Sequence, residues 1–162
     1  MNEEKNIQLD RMRFTKNSTA ANFALLAILF DVMFFISIYE SNVGSWYYNI
    51  LMGASILYNL VFMLAAFLCS EGIKNYKVSY AYVMLLLGII QIIRIFIYPM
   101  RAKAATITVM EQPVLVMGTG QFIRCVVYLL LSAACLIVGA AIGYSRGRAL
   151  QAHLATLDIH PA

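Results

Sequence analysis

The chain has 162 residues, 62% hydrophobic and 12% charged, with mean hydropathy +0.76 and formal net charge +4. That composition excludes an ordinary soluble domain and reads as an integral membrane protein. The basic excess orients the chain and meets anionic headgroups; it does not point to nucleic acid.

Crossing the hydrocarbon takes about 20 apolar residues per helix, and windows of that kind centre near residues 30, 58, 88 and 134. The expected fold is an all-α membrane protein, a four-transmembrane-helix bundle over 21–145. Its spans fall at about 21–40, 46–70, 78–99 and 122–145, with a short extracytoplasmic β-hairpin between helices 3 and 4. An N-terminal segment, 1–20, and a C-terminal tail, 146–162, flank it.

Residues 1–20 are polar, with Ile7, Leu9, Met12 and Phe14 among Lys5, Asp10, Arg11, Arg13 and Lys16. Two readings stand: a short interfacial helix, or a solvated tail. Asn17 or Ser18 can cap the first span. Within it Ala20, Ala24, Ala27 and Asp31 follow spacings of four, three and four, which makes one helical stripe of small residues ending in a carboxyl. Small residues admit close helix approach, so the stripe and Asp31 are expected to face the bundle.

Glu40 to Ser45 reads as a tight polar turn, and Trp46, Tyr47 and Tyr48 as an aromatic belt at one membrane surface. In the second span Ser55, Asn59, Phe62 and Ala66 share a stripe on which Ser55 and Asn59 are interhelical hydrogen-bonders. After the connection from Glu71 to Lys77, the third span places Gly88, Gln91, Arg94 and Tyr98 along one side and stops at Pro99, which has no N–H for the helix ladder.

The loop over 100–121 contains two β-prone runs, Thr106–Val109 and Val114–Met117, separated by Met110 to Pro113. They are expected to pair antiparallel. In the fourth span Arg124, Tyr128, Ser132, Cys135, Gly139 and Gly143 share a stripe ending in GxxxG, a close-crossing signal used within the bundle or between subunits. Leu150, Leu154 and Leu157 continue at helical spacing, so the last helix can extend into water. His153 and His160 are too isolated for a metal site, and Cys69, Cys125 and Cys135 have no metal-ligand spacing and read as packing residues.

Eight Lys and Arg residues lie on the termini and the middle connection, against Arg101 and Lys103 on the other side. The positive-inside rule then makes both termini cytoplasmic, in a multi-pass protein of the cell membrane.

An arginine at membrane depth costs at least about 2.5–3.5 kcal/mol, so Arg94 requires a partner. The expected intramembrane polar cluster is Asp31, Glu40, Asn59, Gln91 and Arg94, with Asp31 and Glu40 equally eligible as the principal counter-charge. Ala20, Ala24, Ala27, Gly139 and Gly143 are the helix-packing residues. The constellation reads as a polar lock within an accessory, assembly or interaction subunit. Its partners would be the lipid bilayer and a membrane-protein partner or second copy. The alternative is a small proton-coupled transporter or channel working as an oligomer through Asp31. One carboxyl in the first of four spans resembles the small multidrug exporters, in architecture alone. No cofactor is implied, and the absence of HExxH, P-loop and Gx-Ser-xG patterns argues against an enzyme.

Overall fold

The computed structural model describes residues 2–39, 46–109 and 112–159. The elements in order are α1 (Asn2–Phe14), α2 (Ser18–Ile38), α3 (Trp46–Lys74), α4 (Val78–Ile97), α5 (Pro99–Ala104), β1 (Thr106–Val109), β2 (Gln112–Leu115) and α6 (Thr119–Ile159). Helices α2, α3, α4 with α5, and α6 contain stretches long and apolar enough to cross a membrane. Each satisfies its backbone polar groups internally, as hydrocarbon demands. The chain is a multi-pass helical membrane protein.

The long helix α6 packs against both α2 and α4, while α3 packs against α2 and α4. Glycine permits the closest of these approaches. A Cβ on Gly139 would stand 2.7 Å from Met84 Cε, 3.0 Å from Phe23 Cβ and 3.2 Å from the Ala20 carbonyl, and one on Gly143 would overlap Ile73. The GxxxG pair is therefore used inside the bundle, against the buried Ala20 end of α2.

Between α3 and α4 the chain reverses in three residues. Tyr76 adopts φ 58°, and the amides of Asn75 and Lys77 both donate to the Gly72 carbonyl. The Asn75 side chain caps the Glu71 carbonyl at 3.0 Å. These bonds take up carbonyls left open at the helix end.

Several local expectations are revised or decided between their alternatives. Pro99 ends α4, but instead of opening a loop it starts α5 as its first residue, a position where its missing N–H costs nothing. The second strand is Gln112–Leu115, two residues earlier than Val114–Met117, with Thr106 opposite Leu115 and Val109 opposite Gln112. Beyond it the Val116 amide still donates to the Ala105 carbonyl at 3.1 Å, while Val116 and Met117 are buried and Met117 belongs to the core at that end of the bundle. The extension of the last helix past 146, expected from the spacing of Leu150, Leu154 and Leu157, is present, and α6 runs to Ile159. Finally, residues 2–14 are helical, and α1 packs on that extension, where His153 Nε2 lies 2.9 Å from Asp10 Oδ1. His153 is thus an interhelical contact, not part of a solvated tail. The polar turn from Glu40 to Ser45 lies outside the described residues, as do the side chains of Trp46, Tyr47 and Tyr48.

The core is divided in two. One apolar cluster joins Ala20, Ala24 and Ala27 to Phe62, Ala66, Met84, Leu136 and their neighbours. The other joins Phe34 and Ile38 to Ile95, Met117, Cys125 and Leu129. On α2, α4 and α6 the residues between these clusters are polar: Asp31, Gln91 with Arg94, and Ser132.

Candidate functional site

The polar layer is built on Arg94, whose side chain is 2% exposed and which α4 directs toward α2 and α3. Its fork has five N–H donors. Nη1 donates to Asp31 Oδ1 at 2.8 Å and to Gln91 Oε1 at 3.3 Å. Nη2 donates to Ser55 Oγ at 3.3 Å and to Asn59 Oδ1. Four donors thus meet four acceptors on three helices, and among the described residues Nε has no partner. The guanidinium carbon also lies 4.5 Å from the Phe34 ring centroid, 4.4 Å from that of Tyr58 and 5.7 Å from that of Tyr98. A weakly hydrated planar cation suits such flanking π-faces.

The fourth span enters through Gln91. Its Nε2 donates to Asp31 Oδ1 at 2.9 Å and to Ser132 Oγ at 3.3 Å. The Ser132 hydroxyl in turn donates to the Ala27 carbonyl at 2.9 Å, closing the chain back onto α2. Asp31 Oδ1 therefore accepts twice, while Oδ2, Asn59 Nδ2 and the Tyr58 hydroxyl are buried without a partner among the described residues. A fully enclosed pair such as Asp31 and Arg94 has little access to water, and its strength rests on these extra hydrogen bonds.

Of the expected cluster, Asp31, Asn59, Gln91 and Arg94 come together in one network. Glu40 lies outside the described residues, and Asp31 is the carboxylate seen on Arg94. Ala20, Ala24 and Ala27 are fully buried on the α2 stripe, in line with Asp31. The sequence reading left out Ser55 and Ser132 as cluster members and missed the aromatic contacts of Phe34, Tyr58 and Tyr98. Ser132 was signalled by its place on the α6 stripe. Tyr98 was signalled by its place one turn after Arg94 on the same side of α4, whereas Phe34 and Tyr58 carried no signal, since their neighbours depend on how α2 and α3 are rotated.

A second, weaker tie lies at the Ala20 end of the bundle. Ser70 Oγ donates to the Ala21 carbonyl at 3.1 Å, Arg146 Nη1 donates to Asn17 Oδ1 at 3.0 Å, and the Asn17 amide donates to the Lys74 carbonyl at 3.0 Å. Asn17 thus occupies the N-cap of α2, but its side chain serves Arg146 and makes no capping bond. Among the described residues no group of three His, Cys, Asp or Glu could hold a metal ion.

Fold and site define a class: a multi-pass helical membrane protein with a buried, ion-paired polar layer. Comparison with protein-family models, curated proteins and solved structures finds no match to the chain.

Proposed function

We propose that this protein is a non-enzymatic accessory or assembly subunit of a membrane, in which the Arg94 network holds the four spans in register. In this reading both termini are cytoplasmic, and the β1–β2 ladder faces the opposite side as a contact surface for another membrane protein. The observation that carries it is the closure of the ion pair. Asp31 and Arg94 are 0% and 2% exposed, with an apolar cluster on either side of them. An intramembrane carboxylate that moves protons needs a wet route, whereas a polar tie needs hydrogen bonds between helices, which Asp31 and Arg94 make to α2, α3 and α4. The orientation is supported by the eight basic residues on one side.

The test pairs two measurements on the full chain. Affinity purification from native membranes after cross-linking should recover a membrane protein in stoichiometric amount. That yield should fall when Thr108 and Leu115, both exposed on the ladder, are changed to lysine. In proteoliposomes carrying a pH gradient, wild type and Asp31→Asn should dissipate the gradient equally slowly. Flux that depends on Asp31 would overturn the subunit reading in favour of a proton-coupled transporter.

A further inference from the structure

Between α4 and α6, at the end of the bundle remote from the β ladder, an apolar groove of about 290 Å³ opens to the outside of the helices. Its floor is made of small residues, Ala81 and Ala140, both buried, with Ala141 beside them. The exposed Tyr82 and Tyr144 form the rim, their rings meeting edge to face at 5.6 Å. All of these lie in stretches long and apolar enough to cross a membrane, and in a bilayer a groove open to the outside of such helices faces lipid.

The end of the groove is charged. Arg148 follows Tyr144 by one helical turn, with its guanidinium carbon 6.0 Å from that ring. Lys77 precedes Ala81 by one turn. A Cβ on Gly147 would stand 2.8 Å from Val78 Cγ2 and 3.1 Å from the Tyr76 carbonyl. The two backbones therefore touch beside Lys77 and Arg148, which places both cations at the same end. The neighbouring cations are engaged: Lys74 pairs with Glu71 at 3.0 Å, and Arg146 holds Asn17. Lys77 and Arg148 are exposed and have no carboxylate partner among the described residues.

We infer that this groove is a binding site for one anionic phospholipid, with an acyl chain lying over Ala81, Ala140 and Ala141 and the phosphate held between Lys77 and Arg148. The small floor residues give the chain a channel between two helices, the tyrosines mark the depth of the headgroup boundary, and the two unpaired cations select negative charge. The inference does not depend on the subunit role proposed above.

Native mass spectrometry of the full chain, purified in mild detergent and titrated with equal phosphatidylglycerol, phosphatidylcholine and cholesterol, tests it. Wild type should retain one phosphatidylglycerol, preferred over phosphatidylcholine on the order of tenfold or more. Lys77→Gln with Arg148→Gln should bring that preference close to one while leaving phospholipid bound. Ala141→Phe, which fills the groove from its exposed side, should abolish retention of either phospholipid. Should that variant misfold, wild type supplies the same information: glycerophosphoglycerol, which lacks acyl chains, should fail to displace the bound lipid. No headgroup preference, a preference unchanged in the double glutamine variant, displacement by glycerophosphoglycerol, or retention of cholesterol in place of phospholipid would each overturn the inference.

Discussion

Arg94 illustrates why arginine and lysine are not interchangeable in a membrane interior. Its planar fork reaches Asp31, Gln91, Ser55 and Asn59 at once, while its faces meet Phe34 and Tyr58. A lysine ammonium has three donors, no plane and stronger hydration. Arg94→Lys keeps the charge but leaves at least one buried acceptor unsatisfied, at about 1.5–3 kcal/mol for a bond to a charged group. Unfolding of the purified protein by SDS titration should record that loss, and a variant as stable as wild type would show that charge alone suffices. At this scale much was legible. Asp31 and Arg94 stand out in apolar runs, and the three-residue spacing of Gln91 and Arg94 puts them on one face. What selects Asp31 as the observed partner, and what places Tyr58 beside the guanidinium, is the rotation of α2 and α3, which one sequence does not encode locally.

For the elements, close packing depends on where a side chain is missing. Gly139→Ala meets Met84, Phe23 and the Ala20 carbonyl, and a backbone oxygen cannot rotate away. Overpacking of that kind costs about 1–3 kcal/mol, against a gain of about 0.8–1 kcal/mol from replacing glycine in a helix. Gly53 is the internal control, with nothing within 4 Å of an added Cβ. Gly53→Ala should therefore leave stability unchanged or raise it by up to about 1 kcal/mol, whereas Gly139→Ala should lower it; thermal unfolding in detergent measures both. The small-residue stripes of α2 and α6 were readable because period and residue size coincide. The strand boundary was not, because Val114, Leu115 and Val116 have similar β-propensity, and nothing in that run marks where pairing gives way to the buried Val116 and Met117. The course of α6 past Tyr144 was readable from Leu150, Leu154 and Leu157, whereas its contact with α1 was not, because helical periodicity in either segment does not name its neighbour.

Over the whole molecule, the polar layer divides one hydrophobic core into two and ties α2, α3, α4 and α6 at a single level. Topology is testable directly. With Cys69, Cys125 and Cys135 replaced by alanine, a cysteine at exposed Thr108 should react with an impermeant thiol reagent on intact cells. One at exposed Lys77 should react only after lysis, and the reverse pattern would invert the proposed orientation. The layer itself is best tested by a double-mutant cycle on equilibrium unfolding of Arg94→Leu, Asp31→Leu and the pair together. Removing one member of a buried ion pair costs about 3–5 kcal/mol, because the other charge stays behind, while removing both is often close to neutral. Each single variant should therefore lose stability in that range, and the double variant should be more stable than either single one. Single variants as stable as wild type, or losses that simply add, would contradict the claim that the Asp31–Arg94 pair holds the bundle together.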